Sequence, residues 1–144
     1  MPNAARKVVL DASALLMVLQ RDPGCERVEP HLGRAVMSAL NLAEVAAVLG
    51  RRGLSGYSVL ADVYKIVPDI QPFDTEQASL TVALDEKTKA LGLSLAARAC
   101  LALGVSTGYL VLTADPTWLN LDLGLKIEVI QINSVTPLAT ATGQ

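Results

Sequence analysis

Short, continuous apolar runs alternate with helix-forming segments along almost the whole chain. Strands are predicted over residues 8–10, 35–39, 67–72, 109–113 and 127–132. Residues 8–10 form a continuous run of valine and leucine, which indicates a strand buried on both faces, whereas residues 67–72 predict a weak strand. Because helices separate most of these strands, the sequence predicts an α/β fold with a mostly parallel sheet of four to five strands and helices on both faces.

The intervening helices have recognisable start and stop signals. They are predicted over residues 11–20, 25–32, 41–53, 55–66, 74–92 and 94–104. Two of them open with the form of a capping box, one pairing Asn41 with Glu44 and the other pairing Asp74 with Gln77. The first box predicts that Asn41 accepts a backbone hydrogen bond at the helix start and that Glu44 lies in the first turn. Prolines within residues 67–72 predict an edge or near-edge strand.

Size and composition predict one domain that covers part of its surface with a partner. The chain has 144 residues, and we expect a single domain over residues 1–132 followed by a disordered, Thr-rich tail over residues 133–144. It is 51% hydrophobic and 3% aromatic, with a mean hydropathy of +0.41. That is high for a soluble monomer, so we expect a second copy or a partner to cover some apolar surface.

Several classes of protein are disfavoured by what the sequence lacks. The uncharged stretch 99–114 is interrupted by Gly104 and Gly108 and is too short for a membrane span. With no secretory signal evident, we expect a cytoplasmic protein that is not bound to a membrane. Cys25 and Cys100 lack metal-ligand spacing, which favours incidental or buried thiols over a zinc site or a disulfide.

Charge argues against a general nucleic-acid binder. The net charge is −2 and the pI is near 5.3, whereas nonspecific affinity for nucleic acid depends on neutralised phosphates. A polynucleotide would need a local basic rim, for which the candidates are Arg51, Arg52, Arg98 and Lys126. Taken alone, each is better explained as a solvated helix end or strand edge. The single histidine, His31, lies outside the predicted strand ends, so no Ser/His/Asp arrangement is available.

Three carboxylates stand where predicted strands give way to helices. Asp11 closes the first strand, Glu44 follows the second and Asp115 follows the fourth. In a parallel sheet these places converge at the carboxyl edge, where open α/β sheets bind ligands. Three neighbouring anions repel one another unless a cation neutralises them, and hard oxygen ligands suit Mg²⁺ or Mn²⁺. Such an ion is suited to phosphodiester hydrolysis, because it activates water and stabilises charge on the phosphate.

Each carboxylate also has a structural interpretation. Glu44 is explained equally well as the partner in a capping box, and Asp115 as the helix cap before Pro116. Asp11 is the hardest to explain in this way, because a charge at the end of an apolar strand must find compensation. Asp74 fits its cap role well and is left out of the predicted site.

Three polar residues are predicted to support these carboxylates. Ser13, Asn41 and Thr113 each lie beside a proposed ligand in sequence or at the same predicted sheet edge. All three are residue types that cap helices or end strands. They are also candidates to orient a ligand or a bound water.

The ordered segments 9–15, 42–45, 92–95, 98–103 and 111–115 resemble a PIN-domain protein, and more narrowly the VapC toxins of bacterial type II toxin–antitoxin systems. The resemblance runs from about residue 8 to residue 130. It implies a three-layer α/β/α sandwich and a Mg²⁺- or Mn²⁺-dependent endoribonuclease that acts on tRNA or rRNA and is usually a homodimer. It also implies a VapB-like antitoxin whose C-terminal segment lies across the groove and blocks it.

The resemblance assigns the family's acids residue by residue. The first, second and fourth acids fall on Asp11, Glu44 and Asp115, which would be the catalytic and metal-binding residues. The third falls on Ala97, in a segment where the family usually reads Gly-Asp-Arg and this chain reads Ala-Ala-Arg over residues 96–98. Loss of a ligand impairs a metal site, so the resemblance implies a weak or inactive nuclease with an intact fold.

Two other functions stay open from the sequence. One is a non-catalytic binding module that keeps the groove and captures an antitoxin or RNA without cutting it. The other is a phosphoacceptor receiver domain, which also gathers acids at the carboxyl edge of a parallel sheet. The receiver is disfavoured because Asp11 has no adjacent acid and the third strand ends in Gln-Pro-Phe over residues 71–73 without an acceptor aspartate.

Overall fold

The computed structural model describes residues 6–130. Five short strands form one parallel sheet: β1 (Val8–Leu10), β2 (Ala35–Ser38), β3 (Asp69–Gln71), β4 (Leu110–Thr113) and β5 (Ile127–Val129). Their order across the sheet is β3-β2-β1-β4-β5, and every neighbouring pair is parallel. The chain builds outward from β1 to β3 and then returns to start β4 on the other side of β1. The strand order therefore reverses between β1 and β4, which is where such sheets open a crevice.

Helices cover both faces of this sheet. They are α1 (Ala12–Leu19), α2 (Ala39–Arg51), α3 (Gly56–Ile66), α4 (Thr75–Ala83), α5 (Asp85–Thr88) and α6 (Leu95–Thr107). Successive side chains of a strand point to opposite faces. Val8 and Leu10 accordingly join the core that contains Val45 of α2, whereas Val9 joins the core that contains Leu101 of α6. The predicted α/β/α sandwich with a parallel sheet is confirmed, and β3 is an edge strand as its prolines indicated.

The predicted start of α2 is wrong. Ser38 is the cap residue, since its hydroxyl accepts a 3.2 Å hydrogen bond from the backbone N–H of Leu40. The helix therefore begins at Ala39, before the residue predicted to cap it. Asn41 lies inside the first turn, and Glu44 lies in the second turn rather than the first. The capping box failed as a prediction because a serine three residues earlier supplies the same hydrogen bond.

The predicted helix over residues 25–32 is instead two 3-10 turns, Cys25–Arg27 and Glu29–Arg34. Pro30 lies in the second turn and has no backbone N–H, so a continuous α-helical hydrogen-bond ladder cannot pass through it. The N–H of Val28 bonds the carbonyl of Cys25 at 2.9 Å, with the shorter spacing of a 3-10 turn.

The predicted long helix over residues 74–92 is also interrupted. Asp74 caps α4 as expected, accepting a 3.0 Å hydrogen bond from the N–H of Gln77. The helix then divides at Leu84, whose N–H is shared between the carbonyls of Leu80 and Thr81, and a 3-10 turn over Lys89–Leu91 leads to Gly92. Shared hydrogen bonds of this kind are common where a helix ends.

Helix α6 runs three residues beyond its predicted end at Gly104. The glycine that ends it is Gly108, which has a left-handed φ of +75°. Gly104 serves packing instead: a Cβ placed there would lie 2.6 Å from Cγ2 of Val111 on β4. Its missing side chain lets α6 lie close against the sheet.

Two predictions fall outside the described residues, namely residues 131–132 of the last strand and the tail over residues 133–144. Within residues 6–130, no helix has both the length and the apolar character needed to cross a membrane.

Candidate active site

A cleft of about 320 Å³ opens at the carboxyl ends of β1 and β4, where the strand order reverses. Its lining includes the three predicted acids, Asp11, Glu44 and Asp115, together with Ala97 at the start of α6. Asp11 directly follows β1, and Asp115 lies two residues beyond β4. The fold thus brings residues that are far apart in sequence to the same cleft.

Asp11 is buried, with 5% of its surface exposed. Its Oδ2 accepts a 2.6 Å hydrogen bond from the hydroxyl of Ser13 and a 2.9 Å hydrogen bond from the hydroxyl of Thr113. Burial raises the pKa of the carboxyl above its ordinary value, and these hydrogen bonds lower it in part. Both hydroxyls bond the same oxygen, Oδ2, and neither bonds Oδ1.

The two hydroxyls connect Asp11 to the loop after β4. The N–H of Ala114 donates to the Ser13 hydroxyl at 2.9 Å, and the N–H of Asp115 donates to the Thr113 hydroxyl at 3.1 Å. Because a backbone N–H can only donate, each hydroxyl accepts a hydrogen bond from the loop and donates its own hydrogen bond to Asp11. The first acid and the loop carrying Asp115 are therefore held by one hydrogen-bond network.

Glu44 is half-buried on the side of α2 that faces the cleft. Burial raises its pKa, the negative charge of Asp11 raises it further, and the guanidinium of Arg51 opposes both effects. Since Ser38 caps the helix, Glu44 has no role in the helix start. Its position beside a second carboxylate is thus not explained by a capping box.

Asp115 serves as a cap as well as lining the cleft. Its Oδ1 accepts hydrogen bonds from the backbone N–H of Thr117 at 2.9 Å and from the Thr117 hydroxyl at 2.8 Å. These bonds begin the 3-10 turn Pro116–Asn120. Oδ2 has no hydrogen bond within the described chain. Its cap role is therefore compatible with binding a ligand through the second oxygen.

Asn41 lies outside the lining of the cleft, although the sequence predicted it beside a ligand. It is fully buried, and its Nδ2 donates a 2.9 Å hydrogen bond to the backbone carbonyl of Ala96 in the first turn of α6. Its Oδ1 is a buried acceptor without a hydrogen bond in the described part of the chain. Asn41 therefore ties the helix that carries Glu44 to the helix that carries Ala97.

Ala97 stands in the first turn of α6, where its N–H donates a 3.1 Å hydrogen bond to the hydroxyl of Ser94. Ser94 is the first residue of the helix predicted over residues 94–104, but the sequence did not identify it as part of the cleft lining. Leu16, Leu93 and Trp118 were also missed, although they line the cleft with apolar surface. Apolar residues at strand and helix ends carry no chemical signature, so only the fold could reveal them.

Cys100 lies on α6 and is completely buried. Burial raises the pKa of its thiol well above the ordinary value, and the charges of Asp11 and Glu44 raise it further. The thiol is thus protonated at neutral pH and lies within the electrostatic field of the acids.

The family model described as PIN domain matches residues 8–123. The chain belongs to the PIN domain family. The matched range contains all three acids as well as Ala97, and both strands that border the cleft.

Solved structures share the fold of this PIN domain. DNA-bound VapBC from Salmonella typhimurium has a TM-score of 0.65 at 19% identity, covering 86% of this chain and 98% of that chain. VapBC2 from Rickettsia felis, bound to a promoter fragment, has a TM-score of 0.68 at 13% identity, covering 85% and 98%. VapC20 from Mycobacterium tuberculosis, a sarcin-ricin loop cleaving toxin, has a TM-score of 0.63 at 12% identity, covering 80% and 96%. A search of curated proteins finds no match.

The acids of this PIN domain suit a hard divalent cation in their chemistry. The hydroxyls of Ser13 and Thr113 bond only Oδ2 of Asp11, Thr117 bonds only Oδ1 of Asp115, and the charge of Asp11 raises the pKa of Glu44. Within the described range, however, no three His, Cys, Asp or Glu side chains lie close enough together to form a closed metal-binding group. Mg²⁺ is commonly held by one or two carboxylates with water completing its shell, so an open set of this kind fits it.

Proposed function

We propose that this PIN domain is a VapC-like toxin ribonuclease that cleaves RNA weakly or not at all. One observation carries the proposal: Asp11, Glu44 and Asp115 line one cleft, and Ala97 lines the same cleft where the family's third acid is expected. PIN domains are generally ribonucleases that use divalent metals. The cleft has three of the acids expected for such a site, and the methyl group of Ala97 stands where the remaining carboxylate is expected.

Asp11, Glu44 and Asp115 would hold Mg²⁺ or Mn²⁺ directly or through the water molecules that complete its shell. A bound ion would supply an activated water and stabilise the charge that develops on the scissile phosphate. The chain's own residues prepare for this by fixing the acids. Ser13 and Thr113 occupy Oδ2 of Asp11, which fixes the orientation of the carboxylate, and Thr117 does the same for Oδ1 of Asp115.

Ala97 is the reason to propose impaired activity. Even the loss of a residue that only supports a metal ligand typically costs about 10 to 100-fold in metal affinity or activity, and loss of a ligand should cost at least as much. The alanine also removes one negative charge from a cleft in which Asp11 and Glu44 already repel each other. The alanine therefore reduces repulsion within the cleft and also reduces its affinity for a metal ion.

The same observation favours a second candidate, a non-catalytic PIN module that binds an antitoxin or RNA without cutting it. A groove with three acids and no fourth could still hold a basic segment of a partner through ion pairs. An RNA cleavage assay separates the two functions. A ribonuclease cleaves RNA, or begins to do so when the missing acid is restored, whereas a binding module does neither.

The remaining features of the VapC resemblance also belong to the proposal. They are a cytoplasmic location, a tRNA or rRNA substrate, a homodimer and a VapB-like antitoxin. VapBC structures from two bacteria share this fold, and VapC20 is described as a sarcin-ricin loop cleaving toxin. Exposed apolar side chains support a partner: Tyr57 is 86% exposed and Tyr64 is 58% exposed, both on α3.

The decisive test is RNA cleavage in Mg²⁺ and in Mn²⁺ by the chain, by Ala97→Asp and by Ala96→Asp. The last variant is a matched control, since it adds the same charge to the same helical turn, at a residue outside the cleft lining. We expect cleavage to appear or rise only in Ala97→Asp, and to be lost again when Asp11→Asn is added. Equal cleavage by the chain and both variants would contradict the role of Ala97. No cleavage by any of them, on tRNA or rRNA, would favour the binding module.

The partner is tested by mass. We expect a dimeric mass at micromolar concentration, and a larger complex when a small VapB-like antitoxin encoded beside this protein is added. A monomeric mass under both conditions would contradict this part of the proposal.

A further inference from the structure

A second pocket lies at the opposite edge of the sheet from the acidic cleft. It has a volume of about 570 Å³ and lies where three adjacent strands begin: Lys7 precedes β1, Tyr109 precedes β4 and Lys126 precedes β5. It shares no lining residue with the acidic cleft. Ligands of open α/β sheets ordinarily bind at the carboxyl ends of the strands, so the usual site of the fold does not account for this pocket.

Cationic side chains are concentrated at this pocket, although the chain as a whole has a net charge of −2. Arg6, Lys7 and Lys126 all belong to its lining. The ammonium of Lys7 is engaged by Asp69, with 3.9 Å between Nζ and Oδ2. Arg6 and Lys126 form no ion pair with a carboxylate in residues 6–130. Two cations without such a partner therefore favour an anionic ligand.

Two negative groups lie near the pocket: the carboxylate of Glu128, which is close to a cation, and the carbonyl end of α6 beside Gly108. Glu128 lines the pocket, and its Oε2 is 3.7 Å from Nη2 of Arg27. Helix α6 ends beside Gly108, where its carbonyl end disfavours an anion. An anion is accordingly expected on the side of Arg6 and Lys126 rather than against Gly108.

His31 adds a neutral hydrogen-bond donor. Nη2 of Arg34 lies 2.9 Å from Nδ1 of His31, and a guanidinium can only donate, so a neutral ring carries its proton on Nε2. Burial and the charge of Arg34 lower the pKa of His31, against an opposing effect of Glu128. At neutral pH the ring therefore carries one N–H that is not engaged by Arg34.

The rest of the wall is apolar and includes an aromatic ring. Val8 and Leu110 are the first residues of their strands, and Tyr109 lies between Leu110 and the end of α6. An aromatic side chain provides a face on which any nucleobase can stack. The volume is within the range of pockets that enclose small organic ligands.

We propose that this pocket binds a phosphorylated nucleoside, with the phosphate at Arg6 and Lys126 and the base against Tyr109. The ligand chemistry is the same for a free mononucleotide and for the phosphorylated end of an RNA. The site is separate from the acidic cleft, and the proposal holds whether or not that cleft cleaves RNA.

Calorimetric titration of the full chain tests the site. The ligands are the four 5′-mononucleotides, their nucleosides and a 5′-phosphorylated tetraribonucleotide, all in EDTA so that metal-dependent binding at the acidic cleft does not contribute. We expect saturable binding of at least one mononucleotide and none of its nucleoside. Tighter binding of the tetranucleotide than of the mononucleotide would assign the site to an RNA end, and equal or weaker binding would assign it to a free nucleotide.

Variants locate the binding. Lys126→Glu should weaken it about ten-fold or more, because a charge-assisted hydrogen bond becomes a repulsion. Lys65→Glu, the same change at an exposed lysine of α3, should leave it unchanged. Tyr109→Leu should weaken nucleotide binding while sparing inorganic phosphate, and thermal melts check that each variant is folded. Absence of binding at millimolar nucleotide, equal binding of nucleoside and nucleotide, or equal effects of the two lysine variants would overturn the proposal.

Discussion

The hydroxyl of Thr113 donates a 2.9 Å hydrogen bond to the carboxylate of Asp11, joining the ends of β4 and β1 across 102 positions of sequence. Ser13 makes the corresponding bond from the start of α1, and both hydroxyls accept from backbone N–H groups of the loop that carries Asp115. The cleft is thus fixed by interactions that do not require a metal. Its geometry and its capacity to bind a cation can be tested separately.

Removing the Ser13 hydroxyl should destabilise the fold. Ser13→Ala leaves the N–H of Ala114 without its acceptor and takes one donor from buried Asp11, which should cost about 1–3 kcal/mol. Ser79→Ala is the matched control, since the Ser79 hydroxyl only bonds back to the carbonyl of Thr75 on an exposed helix face. Urea unfolding measures both. A Ser13→Ala variant as stable as Ser79→Ala would contradict a structural role for the network.

Asp11→Asn should stabilise the metal-free protein at neutral pH. Burial raises the pKa of Asp11 in the folded state above the ordinary value of 3.8. As the pH rises from 3.8 through the folded pKa, the unfolded chain loses its proton first, so the folded state becomes less stable and stays so at higher pH. The stabilising effect of asparagine should therefore be present at pH 7 and vanish below the unfolded pKa.

Thermal melts in EDTA at pH 7 and at about pH 3.5 measure this difference, with Asp62→Asn on the exposed side of α3 as the control. The control should show no comparable change with pH. An Asp11→Asn variant that melts below the parent at neutral pH would show that the carboxylate is stabilising there, contrary to the expected sign.

Gly104 in α6 and Gly50 in α2 should respond to alanine in opposite directions. Gly104→Ala places a methyl group 2.6 Å from Cγ2 of Val111, so α6 must move away from β4 at a cost of about 1–3 kcal/mol. Gly50→Ala in α2 meets no atom within 4 Å and should stabilise the protein by about 0.5–1 kcal/mol. Chemical unfolding of both variants is the measurement. A neutral Gly104→Ala would mean that α6 does not depend on this close approach.

Ala97→Asp should gain stability only when metal is present. An acid in the first turn of a helix is favourable by about 0.3–1 kcal/mol, but repulsion from Asp11 and Glu44 opposes that gain. We expect the variant to melt no higher than the parent in EDTA and clearly higher than the parent in Mg²⁺. The control variant Ala96→Asp should have the same melting temperature in EDTA and in Mg²⁺. Greater stability of Ala97→Asp without metal would refute the idea that alanine relieves repulsion in the cleft.

The sheet and the position of the acids were predictable because they depend on local pattern. Apolar runs followed by Asp11 or Asp115 identify the carboxyl ends of buried strands, and parallel topology then brings those ends together. The role of Asp74 was predictable for the same reason, since the cap and its acceptor lie three residues apart.

Competing local signals and tertiary contacts defeated the other predictions. Ser38 and Asn41 are both good cap residues, and the sequence alone does not say which one the strand will reach. Gly104 has the signature of a helix end, but its role is set by Val111 on another element. The contact between Asn41 and Ala96 likewise depends on how α2 and α6 pack, which no local pattern encodes.

The most direct test of the account is a Mn²⁺ titration, followed by electron paramagnetic resonance, of the chain, Ala97→Asp and Ala96→Asp. The account predicts that Ala97→Asp binds Mn²⁺ about 10 to 100-fold more tightly than the chain, while Ala96→Asp binds as the chain does. Addition of Asp11→Asn should abolish the gain. Equal affinity of all three proteins would contradict the assignment of residue 97 as the missing ligand of a PIN metal site.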